Sequence, residues 1–216
     1  MNKKSCPRSW TRITLLALFC LSAVALHAAT HDIKATACGT WDSAGNHTVG
    51  DYFTGFSIER PHDTASYFIF DLSSIKGKRV TDCNVTIEGT TDFTFTAVWA
   101  HHSPTHQFKV GITPMNPGKM TIAQITTGNH NPSIWKNAHS EQDLGYRWVA
   151  DGLHKGARFD AFHYNHQRFQ AAVNAGGQFA MFAVNRFSSG AKSEQYLWGQ
   201  SHFAGAELVL HVTTSN

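Results

Sequence analysis

Across residues 80–89 the apolar side chains Cys83, Val85 and Ile87 alternate with Asn84, Thr86 and Glu88. A period of two sends successive residues to opposite faces of an extended chain, so this segment reads as a strand with one buried and one wet face. A helix, with its period of 3.6, cannot use that spacing. Phe93, Phe95, Ala97 and Trp99 repeat the pattern against Thr94 and Thr96, and Phe108, Val110 and Ile112 repeat it against Lys109. Just upstream, Tyr67-Phe-Ile-Phe70 is apolar without interruption and ends at Asp71. Such a run suits a strand covered on both faces, and Lys76-Gly77-Lys78 supplies the turn that follows it. Later, Gln178 to Val184 and Glu207 to Val212 read as strands, the second with Leu208, Leu210 and Val212 on one side. The middle of the chain is weaker: Met120 to Ile125 reads as a short strand, whereas Asn129-His-Asn-Pro132 and Gly145 to Gly156 read as loops. One helix is expected, capped by Asn165, with Phe169, Ala172 and Val173 at helical spacing and Gly176-Gly177 ending it. Many strands, one short helix and closely spaced turns predict an all-β fold, an antiparallel β-sandwich of jelly-roll type.

The first residues belong to a different category. Residues 1–12 are basic, Ile13 to Leu26 is almost continuously apolar, and Ala28 and Ala29 follow, which is the order of a cleaved secretory signal. The apolar run falls short of the ~20 residues a bilayer span needs. We therefore expect a signal peptide over residues 1–29, one sandwich domain over 30–216, and a secreted or periplasmic protein with no membrane partner once the signal is removed. That division changes the charge: the formal +3 includes Lys3, Lys4, Arg8 and Arg12, and without them 14 bases face 15 acids. Only Lys76, Lys78 and Arg79 remain clustered, too few for the counterion release on which nucleic-acid binding rests, so nucleic acid is not an expected partner. Of the four cysteines only Cys38 and Cys83 lie outside the signal. An even pair in an oxidising compartment predicts a Cys38–Cys83 disulfide, worth roughly 4 kcal/mol on the chain-entropy account.

Two blocks of the chain resemble a known group. Tyr67-Phe-Ile-Phe-Asp-Leu-Ser-Ser-Ile75 followed by Val80-Thr-Asp-Cys-Asn-Val-Thr-Ile87 is one, and Phe169-Gln-Ala-Ala-Val-Asn-Ala-Gly-Gly177, Phe179-Ala-Met-Phe-Ala183, Gln195-Tyr-Leu-Trp-Gly199 and Ala206-Glu-Leu-Val-Leu210 form the other. They resemble bacterial secreted β-sandwich exports of the PEP-CTERM-associated type and, more distantly, DNRLRE-type carbohydrate-binding jelly-roll modules. The resemblance implies fold and secretion and carries no catalytic residues. The closing His-Val-Thr-Thr-Ser-Asn216 is not a sorting tail, so surface sorting by that route is not expected.

The chemistry-bearing residues are sparse in motifs. Histidines cluster at His101, His102 and His106 and at His163 and His166, and neutral imidazoles brought together in loops can hold Zn²⁺ or Cu²⁺. The sequence HExxH is missing, as are GxSxG and SxxK nucleophile motifs and a glycine-rich phosphate loop. Asp42, Asp51, Asp143, Asp151 and Asp160 provide carboxylates but no pair marked for sugar hydrolysis. No cofactor is expected, with calcium kept open because oxygen-ligand sites recur in secreted sandwiches. Most aromatics fit strand cores, but Trp135, Tyr146 and Trp148 fall in the loop-rich middle beside Asn131, Lys136, Asp143 and Arg147. A flat ring bordered by hydrogen-bonding groups is what a pyranose ring requires, so these three are the expected ligand-binding residues; Trp41, Tyr196 and Trp198 are weaker ones. The leading expectation is a non-catalytic secreted sandwich that binds a carbohydrate or cell-surface polymer. One alternative is a self-assembling matrix, envelope or filament subunit that uses Thr30 to Gly50 as an arm or donor strand. The other is a metal-dependent secreted enzyme built on the histidines.

Overall fold

The computed structural model describes residues 28–57, 60–88, 99–100, 108–149, 158–160, 166–186, 195–200 and 208–215. Its elements are β1 (Ala29–Asp42), β2 (His47–Val49), β3 (Asp51–Ser57), β4 (Arg60–Asp71), β5 (Arg79–Glu88), β6 (Trp99–Ala100), β7 (Phe108–Pro114), α1 (Ile122–Thr127), α2 (Pro132–Ser140), β8 (Gly145–Val149), β9 (Arg158–Asp160), α3 (His166–Ala175), β10 (Gln178–Asn185), β11 (Gln195–Gln200) and β12 (Leu208–Ser215). Among the described residues every strand pairing is antiparallel, as the alternating segments predict.

The strands form two layers that share β1. Its first half, Ala29 to Lys34, pairs with β12, which pairs with β5 and then β9. From Ala35 to Asp42 it pairs with β4 in the second layer, with a register shift between Ala35 and Ala37 that bends the strand. A bulge of this kind is how a strand passes from one sheet to another. There β4 also pairs with β10, and β10 leads through β7 to β8. The Thr30 to Gly50 segment, expected to be an arm or donor strand, is therefore part of the body: β1 is matched along its length, and β2 pairs back onto it.

Strand β4 explains its own unbroken apolar sequence. Phe68 and Phe70 enter the core between the layers with Ile33, Val85, Leu210 and Val212. Tyr67 and Ile69 point the other way, into a second core with Phe182, Ile125, Ile134 and Ala138. Neighbouring β10 behaves alike, sending Phe179 and Met181 to one side and Ala180 and Phe182 to the other. Each such side chain contributes roughly 1.5–3 kcal/mol on burial. The second layer is thus sandwiched again, by β-structure on one face and by α1 and α2 on the other.

Those two helices correct the sequence reading. Thr121 accepts from the Gln124 backbone N–H, and the Gln124 side chain accepts from the Thr121 N–H, a capping box that opens α1 where a strand was expected. Asn131 caps α2 through the Ser133 N–H with Pro132 at the first position, where a loop was expected. Residues 145–149 are a strand and not a loop, paired with β7. Helix α3 agrees with expectation: Phe169 and Val173 are buried, and Gly176 and Gly177 end it with φ of 68° and 76°. Its Gln170 fixes it to the start of β5 by donating to the Lys78 carbonyl and accepting from the Val80 N–H, each at 2.8 Å. Asn165 and the expected strand segment 93–98 lie outside the described residues.

The expected disulfide is not formed: Cys38 and Cys83 are present as buried thiols. Cys38 is paired with Phe68 in the second layer and Cys83 with Val212 in the first. Both contribute to the packed interlayer core as small apolar groups, and burial pushes the Cys83 thiol well above its ordinary pKa.

Trp41, a weaker ligand candidate in the sequence, is instead wholly buried. Its indole N–H donates to the Ile125 carbonyl at 2.9 Å, and His47 stacks on its ring at 4.3 Å and 4°. His47 Nδ1 lies 2.8 Å from the Gly128 carbonyl, which can only accept, so the imidazole carries its proton there and its Nε2 accepts from the Tyr67 hydroxyl at 2.9 Å. Burial lowers the His47 pKa, partly offset by the bond to Gly128. Below about pH 6.5 the unfolded chain takes up a proton that the folded chain refuses, so stability falls as the pH drops from there through the folded pKa. His31, lowered by partial burial and by Lys78, acts in the same direction. Urea midpoints are expected to be lower at pH 5.5 than at pH 7.5, with the difference reduced in His47→Gln; an unchanged difference in that variant would assign the effect elsewhere.

Candidate functional site

Beyond the end of β7 the chain turns sharply. Asn116 Oδ1 accepts from the Gly118 N–H at 3.0 Å, its carbonyl takes the Lys119 and Met120 N–H groups, and prolines at 114 and 117 stiffen the approach. Met115 is tied to β10 through the Ala180 carbonyl at 2.8 Å. Facing this turn is one side of α3, where Arg168, Ala171, Ala172 and Ala175 recur at helical spacing. Between them lies a cleft of about 470 Å³, floored by Met115, Phe179 and the alanines, with Asn116, Glu141, Arg168 and Gln178 as its polar groups. That size lies within the usual range for small-ligand sites.

Glu141 is the cleft's buried charge, with 7% of its side chain exposed. Its Oε1 accepts from Lys119 Nζ at 2.7 Å and from Asn116 Nδ2 at 3.0 Å, and its Oε2 accepts from Arg168 Nη1 at 3.2 Å. Burial alone would raise its pKa, but the bonds from Lys119 and Asn116 and the charges of Lys119 and Arg168 outweigh that and hold the carboxyl below its ordinary value. Glu141 is therefore ionised at neutral pH, and two cations surround it.

A third cation fixes the backbone at this point. Arg186, at the end of β10, donates from Nη1 to the His139 carbonyl at 2.6 Å, from Nη2 to the Glu141 carbonyl at 2.7 Å, and from Nε to Asp143 Oδ1 at 2.7 Å. It thereby satisfies carbonyls that the end of α2 leaves without helical partners. Gly111 makes room for this arrangement, since a Cβ there would lie 2.5 Å from Asp143 Oδ1.

Of the three expected aromatic residues, Trp135 does not line the cleft. Trp135 sits in α2, partly buried against the helix-side core, with the His139 ring 4.1 Å from its own. Its Nε1 is buried without a partner, and His139 Nε2 lies 3.3 Å from Asp63 Oδ2. Tyr146 and Trp148 belong to β8, opposite Gly111 and Lys109; their side chains lie outside the described residues, as do those of Tyr196 and Trp198 in β11. Of the clustered histidines, His101, His102, His106 and His163 lie outside the described residues, and His166 opens α3. Among the described residues no three His, Cys, Asp or Glu side chains converge as an ion site. Neither a protein-family model nor a curated relative matches the chain.

Proposed function

We propose that this is an exported, non-catalytic β-sandwich that holds a sugar unit of a carbohydrate or cell-surface polymer in the cleft between the Asn116 turn and α3. The observation that carries the reading is the buried, fully bonded Glu141 carboxylate at the polar side of an otherwise apolar cleft. A sugar ring has an apolar face of C–H groups and a rim of hydroxyls. Phe179, Met115 and the alanines suit the first, and Asn116, Arg168 and Gln178 suit the second. Glycoside hydrolysis ordinarily needs two facing carboxylates; among the described residues Glu141 is the one acid lining the cleft, and it is committed to three donors. That supports binding without turnover. Export rests on the leader over residues 1–29, and the resemblance to secreted sandwiches agrees with it.

Affinity electrophoresis of the purified protein against a panel of neutral and acidic polysaccharides tests the reading. Retardation by at least one polymer is expected, weakened about tenfold in Glu141→Gln, which keeps the shape but releases the cations. Equal retardation of a Trp135→Ala, Trp148→Ala variant and the wild type would place recognition in the cleft and not on those aromatics. No retardation by any polymer overturns the reading.

A further inference from the structure

We infer that the sugar unit held in the cleft is an acidic one, whose carboxylate is received by Arg168. The inference rests on the carbohydrate reading above and adds the ligand's charge. Arg168 and Glu141 line the cleft, and Lys119 reaches Glu141 from outside the lining, so two cations stand against this one carboxylate. Among the described residues this three-membered group carries a surplus positive charge that a neutral sugar would not use. Lys119 is directed onto Glu141 at 2.7 Å. Arg168 is not consumed in the same way: it places a single N–H on Glu141, at 3.2 Å, while its side chain is 41% exposed. A guanidinium carries five N–H donors in a rigid plane and pairs with a carboxylate through two parallel bonds. Arg168 therefore retains the donors that such a pair needs.

Glu141 does not repel the incoming anion outright, because its charge is already balanced by the Lys119 ammonium. It serves as a positioning residue, holding the guanidinium at the wall of the cleft. The polar groups come from separate elements: Asn116 from the turn after β7, Glu141 from the end of α2, Arg168 from α3 and Gln178 from β10. Such a ring of polar groups around a floor of alanines matches hydroxyls set around a pyranose. An acyl chain with one charged end would leave most of them unmatched, which is costly for groups drawn out of water.

Calorimetric titration of the purified protein with trigalacturonate, its methyl ester and decanoate tests this. The acid and the ester share their rings and differ in charge. Trigalacturonate is expected to bind at least tenfold more tightly than the ester, with the ratio shrinking as salt is raised. Arg168→Gln is expected to bring the ratio near one, and Arg168→Lys, which keeps the charge but loses the fork, to restore part of it. A ratio near one in the wild type, or a ratio unchanged in Arg168→Gln, overturns the inference and leaves the carbohydrate reading standing. Tighter binding of decanoate than of either sugar replaces the acidic sugar by an amphiphile. Binding of none of the three, together with an empty polysaccharide panel, overturns both.

Discussion

Trp41→Ala is expected to destabilise the protein by about 3–5 kcal/mol, the cost of emptying a large aromatic site that cannot collapse. The ring is fully buried, and three separate contacts disappear with it. The bond to the Ile125 carbonyl is lost from a helix of only six residues, too short to persist without docking. The stack on His47 is lost as well, and with it the shielding that keeps that imidazole neutral. Gly128, whose Cα lies so close that a Cβ would come within 2.9 Å of the indole, would border a void. Urea denaturation of the variant measures the loss. Its acid sensitivity between pH 7.5 and 5.5 should shrink as His47 becomes hydrated. Were Trp41 a ligand-stacking residue, the substitution would weaken binding and leave the denaturation midpoint near that of the wild type.

Arg186→Ala is expected to cost about 2–4 kcal/mol, judged from the worth of charge-assisted bonds and discounted because a fifth of the side chain meets solvent. The variant leaves two carbonyls and Asp143 without their donor. Since the Glu141 backbone is among the groups released, binding in the cleft should fall further than the loss of folded protein accounts for. Denaturation and ligand titration of the same sample separate the two effects. Equal binding per folded molecule would show that Glu141 is held by its side-chain partners alone.

The layered β-architecture is legible in the sequence because strand periodicity is short and β5, β7 and β12 each repeat it cleanly. Even the double coverage of β4 is readable, from four apolar residues in succession. The first two helices are not readable by periodicity, since six and nine residues give barely two turns of pattern. Their end signals were present nonetheless, Thr121 with Gln124 and Asn131 with Pro132, and what stabilises them is the docking of Ile125, Ile134 and Ala138 on a distant sheet. The cleft is less legible still. Asn116, Lys119, Glu141 and Arg168 come from three stretches with no common spacing, and in the linear chain Glu141 looks like any solvated acid. Trp41 misleads in the opposite sense: its polar neighbours suggest a surface ring, and only the pairing of β1 with β4 draws it inside.

Residue 29 lies across from residue 214, and the same strand that makes this contact continues into the opposite layer. Closure therefore cannot be completed while β12 is still inside a ribosome. Contacts of such long sequence separation give a high contact order, and folding should be slow, late and largely all-or-none. Until the final residues emerge, the opening segment has its edge exposed and is open to mispairing, so a holding chaperone would act on it before anything else.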